Sequence, residues 1–163
     1  MLRLARLLPA GAHIAGLRVA HAIRLRWWRV SKCTVRGCRV LVIDRAGRVL
    51  LIRHSYGSGE WMLPGGGLAR REDPVAGGLR EVAEETGVRL DPAVALGRID
   101  EPASQSETHL VAGWTTDEAR ADEREIIAAQ FFAIDALPER LACGLGTQLP
   151  EWLRAATAAR PLR

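Results

Sequence analysis

The stretch from Gly65 to Val88, GGGLARREDPVAGGLREVAEETGV, constrains the fold of this 163-residue chain more than any other. It opens with three consecutive glycines. Asp73-Pro74 then carries the signal for a helix start, because aspartate caps free amide groups and proline suits the first helical position. Gly87 supplies the matching stop signal. The stretch therefore predicts a glycine-rich turn that runs into one capped helix.

The predicted helix has two chemically different faces. One face carries apolar and small residues at helical spacing and is expected to pack against a core; these residues are Val75, Leu79, Val82, Ala83 and Thr86. On the other face Glu81, Glu84 and Glu85 are three and four residues apart, so their carboxylates share a narrow arc. Like charges this close repel one another unless a cation lies among them, and Mg²⁺ prefers oxygen ligands. The pattern predicts either a metal site or a solvated acidic face that Arg80 partly neutralises.

The spacing from Gly66 to Val88 matches the pattern G-x5-E-x7-R-E-U-x-E-E-x-G-U, with U apolar, at every fixed position. This pattern is the Nudix box, so the chain resembles the Nudix hydrolase family. Trp61–Gly67, which reads W-x-L-P-G-G-G, and the D-x-L-P passage at Asp135–Pro138 are also similar to that family. The resemblance covers about residues 36–141. It implies an α/β (α+β) Nudix sandwich, with a mixed sheet between helices.

The resemblance also implies an activity and a set of site residues. Nudix enzymes typically hydrolyse a nucleoside diphosphate linked to another group, with Mg²⁺ or Mn²⁺. By position in the box, Glu81, Glu84 and Glu85 would be catalytic carboxylates and metal ligands, with Glu85 the principal ligand. The backbone carbonyl of Gly65 would also face the metal. Glu81 is also a candidate for the general base, and Glu125 matches a downstream acid that in some relatives binds metal or acts as the base. Which carboxylate takes the proton stays open.

Five further residues are expected around this cluster. Glu72 would orient ligands or water, and Arg80 would be structural and tethered to a carboxylate. Arg53 ends a predicted strand and is the candidate phosphate clamp, with an ordinary surface arginine as the alternative. His54 and Tyr56 are candidates for substrate binding, the tyrosine by stacking on a base.

Two features depart from the family pattern or bear on the substrate. Gly77-Gly78 stands where many relatives have two alanines, and because glycine costs roughly 1 kcal/mol against alanine inside a helix, we expect a less rigid helix. Pro102 lies fourteen residues past Val88, close to the position of a proline in ADP-ribose enzymes of the family. We therefore expect an ADP-ribose-like or nucleoside triphosphate substrate.

Charge divides the chain into two parts. Residues 1–43 hold nine basic side chains and no acidic one, whereas the other 120 residues hold 14 basic and 19 acidic side chains. We predict a basic amphipathic arm over residues 1–35, with a helix at about residues 12–29, followed by the Nudix hydrolase domain at 36–163.

The arm leaves several partners open. A basic amphipathic helix that ends in tryptophans either packs against its own domain or a second subunit of a homodimer, or makes peripheral contact with an anionic membrane through residues 1–30. Its arginine-rich composition is also typical of an organelle-import peptide. We expect a small-molecule nucleotide as the substrate and no nucleic acid as a partner. The alternative function is a non-catalytic nucleotide-binding Nudix domain that the arm tethers to a membrane or partner.

Cysteine use and hydropathy predict a cytoplasmic protein. Cys33, Cys38 and Cys143 are an odd number in no metal-finger or redox spacing, so we expect reduced thiols, with pairing of Cys33 and Cys38 under oxidant as the alternative. The longest uncharged run, Leu7–Leu17, is 11 residues, which is too short to span a bilayer.

Overall fold

The computed structural model describes residues 36–99, 107–122 and 125–161. In these ranges the chain forms five strands, β1 (Arg36–Ile43), β2 (Val49–His54), β3 (Ala93–Ile99), β4 (Glu107–Trp114) and β5 (Ile126–Phe132). It also forms two α-helices, α1 (Pro74–Thr86) and α2 (Leu145–Ala159), and a short 3₁₀ helix at Ile134–Ala136. The predicted arm, its helix at residues 12–29, Cys33 and Pro102 lie outside the described residues.

The five strands form one mixed sheet in the order β3-β4-β1-β2-β5. Strands β1 and β4 are parallel, and the other neighbouring pairs are antiparallel. Side chains alternate between the two faces of a strand, so each face of the sheet buries its own apolar set. Val40, Val42 and Leu50 pack with Val82 of α1 on one face, whereas Leu41 and Leu51 pack on the other with residues of α2.

The predicted α/β sandwich with a mixed sheet is therefore confirmed. Within the described ranges, neither helix is long and apolar enough to cross a membrane. Strand β5 ends at Phe132, and the chain turns from there into the 3₁₀ helix.

The glycine-rich segment, residues 62–68, lies inside the sheet between β1 and β2. These two strands pair directly only near the turn that joins them, at Ile43 and Val49. Further along, the segment lies between them and pairs with both. On one side it exchanges hydrogen bonds of 2.9 Å with Arg36, Cys38 and Val40 of β1, and on the other Met62 pairs with Ile52 of β2. The insertion fixes the position of the glycines relative to the sheet.

Helix α1 begins and ends as predicted. The Asp73 carboxylate accepts hydrogen bonds of 3.0 Å from the amides of Val75 and Ala76, and Gly87 ends the helix in the left-handed conformation with φ 71°. The prediction that Ala83 lies on the core face was wrong, because this residue is exposed. The packed face is centred instead on Gly78 and Val82, so Ala83 falls at its solvent side.

The two helix-interior glycines lie where the helix closely approaches other parts of the chain. A Cβ added to Gly78 would lie 3.0 Å from Cγ2 of Val40 and 3.6 Å from Cβ of Val111, both buried side chains of the sheet. A Cβ added to Gly77 would collide with Leu68 and lie 3.3 Å from the Glu72 carboxyl carbon. Close packing therefore explains glycines that helix propensity alone disfavours.

Replacing Gly78 with alanine should lower the free energy of unfolding by about 1 kcal/mol, measured by urea denaturation. The methyl group would crowd a packed core, which typically costs about 1–3 kcal/mol and exceeds the helix-propensity gain of roughly 1 kcal/mol. Ala76→Gly, at an exposed position of the same helix, measures the propensity effect alone. The explanation would be contradicted if Gly78→Ala raised the free energy of unfolding by the same amount by which Ala76→Gly lowers it.

Candidate active site

Glu85 is buried beneath the glycine-rich segment. The residue is only 8% exposed. Its Oε2 accepts a hydrogen bond of 3.0 Å from the amide of Gly65. Gly65 has φ 143°, and a Cβ there would collide with the carbonyl oxygen of Cys38. A glycine is therefore required for the close approach of the segment to β1 and to this carboxylate.

Three carboxylates interact through their charges at this position. Burial raises the pKa of Glu85 to about 8, against the opposing effect of the Gly65 hydrogen bond, and the charges of Glu81 and Glu125 add to the rise. Burial also raises the pKa of Glu81, although a hydrogen bond from Arg80 opposes the shift. Glu81, Glu85 and Glu125 are thus close enough to repel one another.

Arg80 organises the other side of the cluster. Its guanidinium donates to both carboxylate oxygens of Glu72 at 3.1 and 3.2 Å, to Glu81 at 2.8 Å and to the carbonyl oxygen of Gly67 at 3.2 Å. The hydrogen bonds from Arg80 lower the pKa of Glu72, whose carboxylate also accepts from the amide of Ala69 at 2.7 Å. This network joins the glycine-rich turn to the helix.

Glu84 has a different environment from the other two helix glutamates. Its side chain is 64% exposed and lies 3.5 Å from Arg80. Together with Glu85 it lines a cleft of about 950 Å³, which the last residue of β4 and the loop after it, residues 114–118, also line. The predicted acidic arc therefore spans a buried, a half-buried and an exposed carboxylate.

Glu125 lies just before β5 and next to the end of β2. The hydroxyl of Tyr56 donates to its Oε1 at 2.5 Å, and the Tyr56 ring lies 4.9 Å from the ring of His54. The structure therefore places Tyr56 and His54 beside the acidic cluster. Nothing in the sequence pairs Tyr56 with Glu125, which are 69 residues apart.

Arg53 lies against an aromatic side chain. Its guanidinium carbon is 5.5 Å from the centroid of the Trp61 ring, and Trp61 packs on the apolar cluster that includes α2. The Nε of Arg53 is buried and has no hydrogen-bond partner in the described part of the chain.

The donor set fits a hard divalent cation. Glu85 and Glu81 offer carboxylate oxygens in a place where negative charges repel, which a cation would relieve. Among the residues that the structure describes, no three histidine, cysteine, aspartate or glutamate side chains converge as a ready cage for an ion. Mg²⁺ usually binds through one or two carboxylates and completes its octahedral shell with water and substrate phosphates, so it does not require such a cage.

Comparison with known proteins identifies the family. The family model of the NUDIX domain matches residues 34–152. The chain is 30% identical over 104 residues to a Bacillus subtilis (strain 168) protein provisionally named 8-oxo-dGTP diphosphatase, covering 63% of this chain and 69% of that one. It is 32% identical over 107 residues to a Mycobacterium tuberculosis (strain CDC 1551 / Oshkosh) protein provisionally named mutator protein MutT4, covering 61% of this chain but only 39% of the relative.

A solved structure agrees with these matches. The MutT NUDIX hydrolase from Burkholderia pseudomallei superimposes with a TM-score of 0.60 at 27% identity, covering 72% of this chain and 97% of that one. This chain belongs to the Nudix hydrolase family. The predicted family, fold and hydrolase class are confirmed.

In the presence of a chelator, the free energy of unfolding should fall as the pH rises from 4.5 through about 8. Because the folded-state pKa of Glu85 is raised, the folded chain keeps a proton that the unfolded chain has already released, so a higher pH favours unfolding. Denaturation at a series of pH values measures this slope. Glu85→Gln should flatten it, leaving the smaller contribution of Glu81, which has the same sign. An equally steep slope in that variant would show that burial of Glu85 is not its cause.

Proposed function

We propose that the chain is a Mg²⁺- or Mn²⁺-dependent hydrolase that cleaves the diphosphate bond of a nucleoside diphosphate linked to another group. The observation that supports this most is the burial of Glu85 under Gly65, together with its charge coupling to Glu81 and Glu125. A buried carboxylate with other carboxylates close to it is unfavourable by itself. It becomes favourable when cations and a polyphosphate are bound against it.

Glu81, Glu84 and Glu85 are the proposed metal ligands, with the carbonyl oxygen of Gly65 beside them. A bound cation would offset the negative charge of the diphosphate and polarise its phosphoryl oxygens. The ion pairs of Arg80 would hold the ligands in place, since this residue contacts Glu81 directly and Glu84 at 3.5 Å.

Glu81 and Glu125 are the two candidates for the general base that takes a proton from the attacking water. Burial raises the pKa of Glu81, which makes its carboxylate a stronger base than that of a free glutamate. Glu125 is supported by its place beside the cluster and by the hydroxyl of Tyr56, which holds its carboxylate. Glu72 would act indirectly, through its ion pair with Arg80.

Arg53, His54 and Tyr56 are proposed to bind the substrate. Arg53 would donate to a phosphate through its guanidinium, which the ring of Trp61 supports. A nucleoside triphosphate is favoured by the name of the B. subtilis relative. An ADP-ribose-like substrate is the other class. A panel of nucleoside triphosphates, oxidised triphosphates, ADP-ribose and nucleotide sugars, read by product release, separates the two.

Glu85→Gln removes the principal anionic ligand, so it should lower turnover of the best panel substrate in Mg²⁺ by at least two orders of magnitude. The fold should stay intact. Turnover and thermal melting are measured together. Glu151→Gln, an exposed change on α2, is the matched control and should keep wild-type turnover.

Full activity of Glu85→Gln would remove the proposed mechanism. Thermal stabilisation of the wild type by nucleotides without release of any product would favour the non-catalytic binding domain instead.

A further inference from the structure

Glu125 is fixed by hydrogen bonds to three different residues. Its amide donates to Oδ1 of Asp122 at 3.0 Å, and its carbonyl oxygen accepts from the amide of Ser55 at 2.9 Å. The third bond joins its carboxylate to the hydroxyl of Tyr56 at 2.5 Å. The first two bonds fix the backbone, and only the third fixes the end of the side chain.

An irregularity in strand pairing sets this geometry. Arg53 pairs with Ala128 but His54 pairs with Ile126, so one residue of β5 is passed over between them. The residue passed over is Ile127, which is 46% exposed. A shift of one residue changes which face the following side chains take. The bulge therefore sets which residues of the loop after β2 meet Glu125.

The position of the Glu125 carboxylate matters because its charge reaches both Glu81 and Glu85. A free glutamate side chain samples several rotamers, and holding it in one costs conformational entropy. A short hydrogen bond from a hydroxyl to a carboxylate is among the stronger kinds in proteins and can offset that cost. The ring of Tyr56 is supported in turn by His54 at 4.9 Å.

We propose that Tyr56 is a positioning residue, whose hydroxyl holds the Glu125 carboxylate at a fixed place relative to Glu81 and Glu85 during hydrolysis. This inference rests on the proposed function. It adds a role for the hydroxyl that is separate from any contact between the aromatic ring and a base.

Tyr56→Phe tests the role because it keeps the ring and removes only the hydroxyl. We expect kcat to fall by roughly tenfold, the usual scale for losing a hydrogen bond to a charged group, with KM within about twofold of the wild type. In the double variant with Glu125→Ala, the loss should be no greater than that of Glu125→Ala alone, because Glu125→Ala removes the acceptor of the same hydrogen bond. Ser58→Ala, which removes a hydroxyl bonded to Glu60 on the same loop, is the control and should leave kcat unchanged.

An unchanged kcat in Tyr56→Phe, an effect on KM alone, or losses that multiply in the double variant would each overturn the inference. Thermal melting of each variant shows whether a loss of kcat comes from a loss of folding. Wild-type and Glu85→Gln proteins in the same assay separate the two proposals. An active wild type, an inactive Glu85→Gln and an unaffected Tyr56→Phe would overturn the role of Tyr56 alone, whereas a wild type without turnover on the panel would overturn both.

Discussion

The contact between the amide of Gly65 and the buried carboxylate of Glu85 is the interaction on which the site depends. It exists because the glycine-rich segment lies between β1 and β2, where only a residue without a Cβ can approach Cys38 so closely. The same contact brings the end of α1 against the sheet. The burial of a carboxylate disfavours its charge, so the fold itself creates a position that a cation would stabilise.

The three glutamates of α1 illustrate how one helix supplies different chemical groups. They lie within five residues of one another, yet Glu85 is buried, Glu81 is half-buried and bound by Arg80, and Glu84 is largely exposed. Such different environments are consistent with the proposed division of ligand and base roles among the three carboxylates. Arg80 couples this division to the glycine-rich turn through Gly67.

Local features of the site could be predicted from the sequence, and tertiary ones could not. The cap at Asp73, the stop at Gly87 and the acidic arc follow from helical geometry over a few residues. The contact of Tyr56 with Glu125 depends on strand pairing between distant segments and on a bulge that the sequence does not mark. From sequence alone, the two glycines before Leu79 are expected to weaken the helix. Their packing against Val40 and Leu68 explains them, but these contacts exist only in the folded chain.

The central claim is that the carboxylate cluster around the buried Glu85 holds a divalent cation against a polyphosphate. A crystal structure with Mn²⁺ and a non-hydrolysable nucleotide tests it most directly, because the anomalous signal of manganese locates the ion. The account predicts a manganese peak within coordination distance of the carboxylates of Glu85 and Glu81, with a phosphate of the nucleotide as a further ligand. A nucleotide bound elsewhere, with Glu85 still buried and no manganese beside it, would contradict the account.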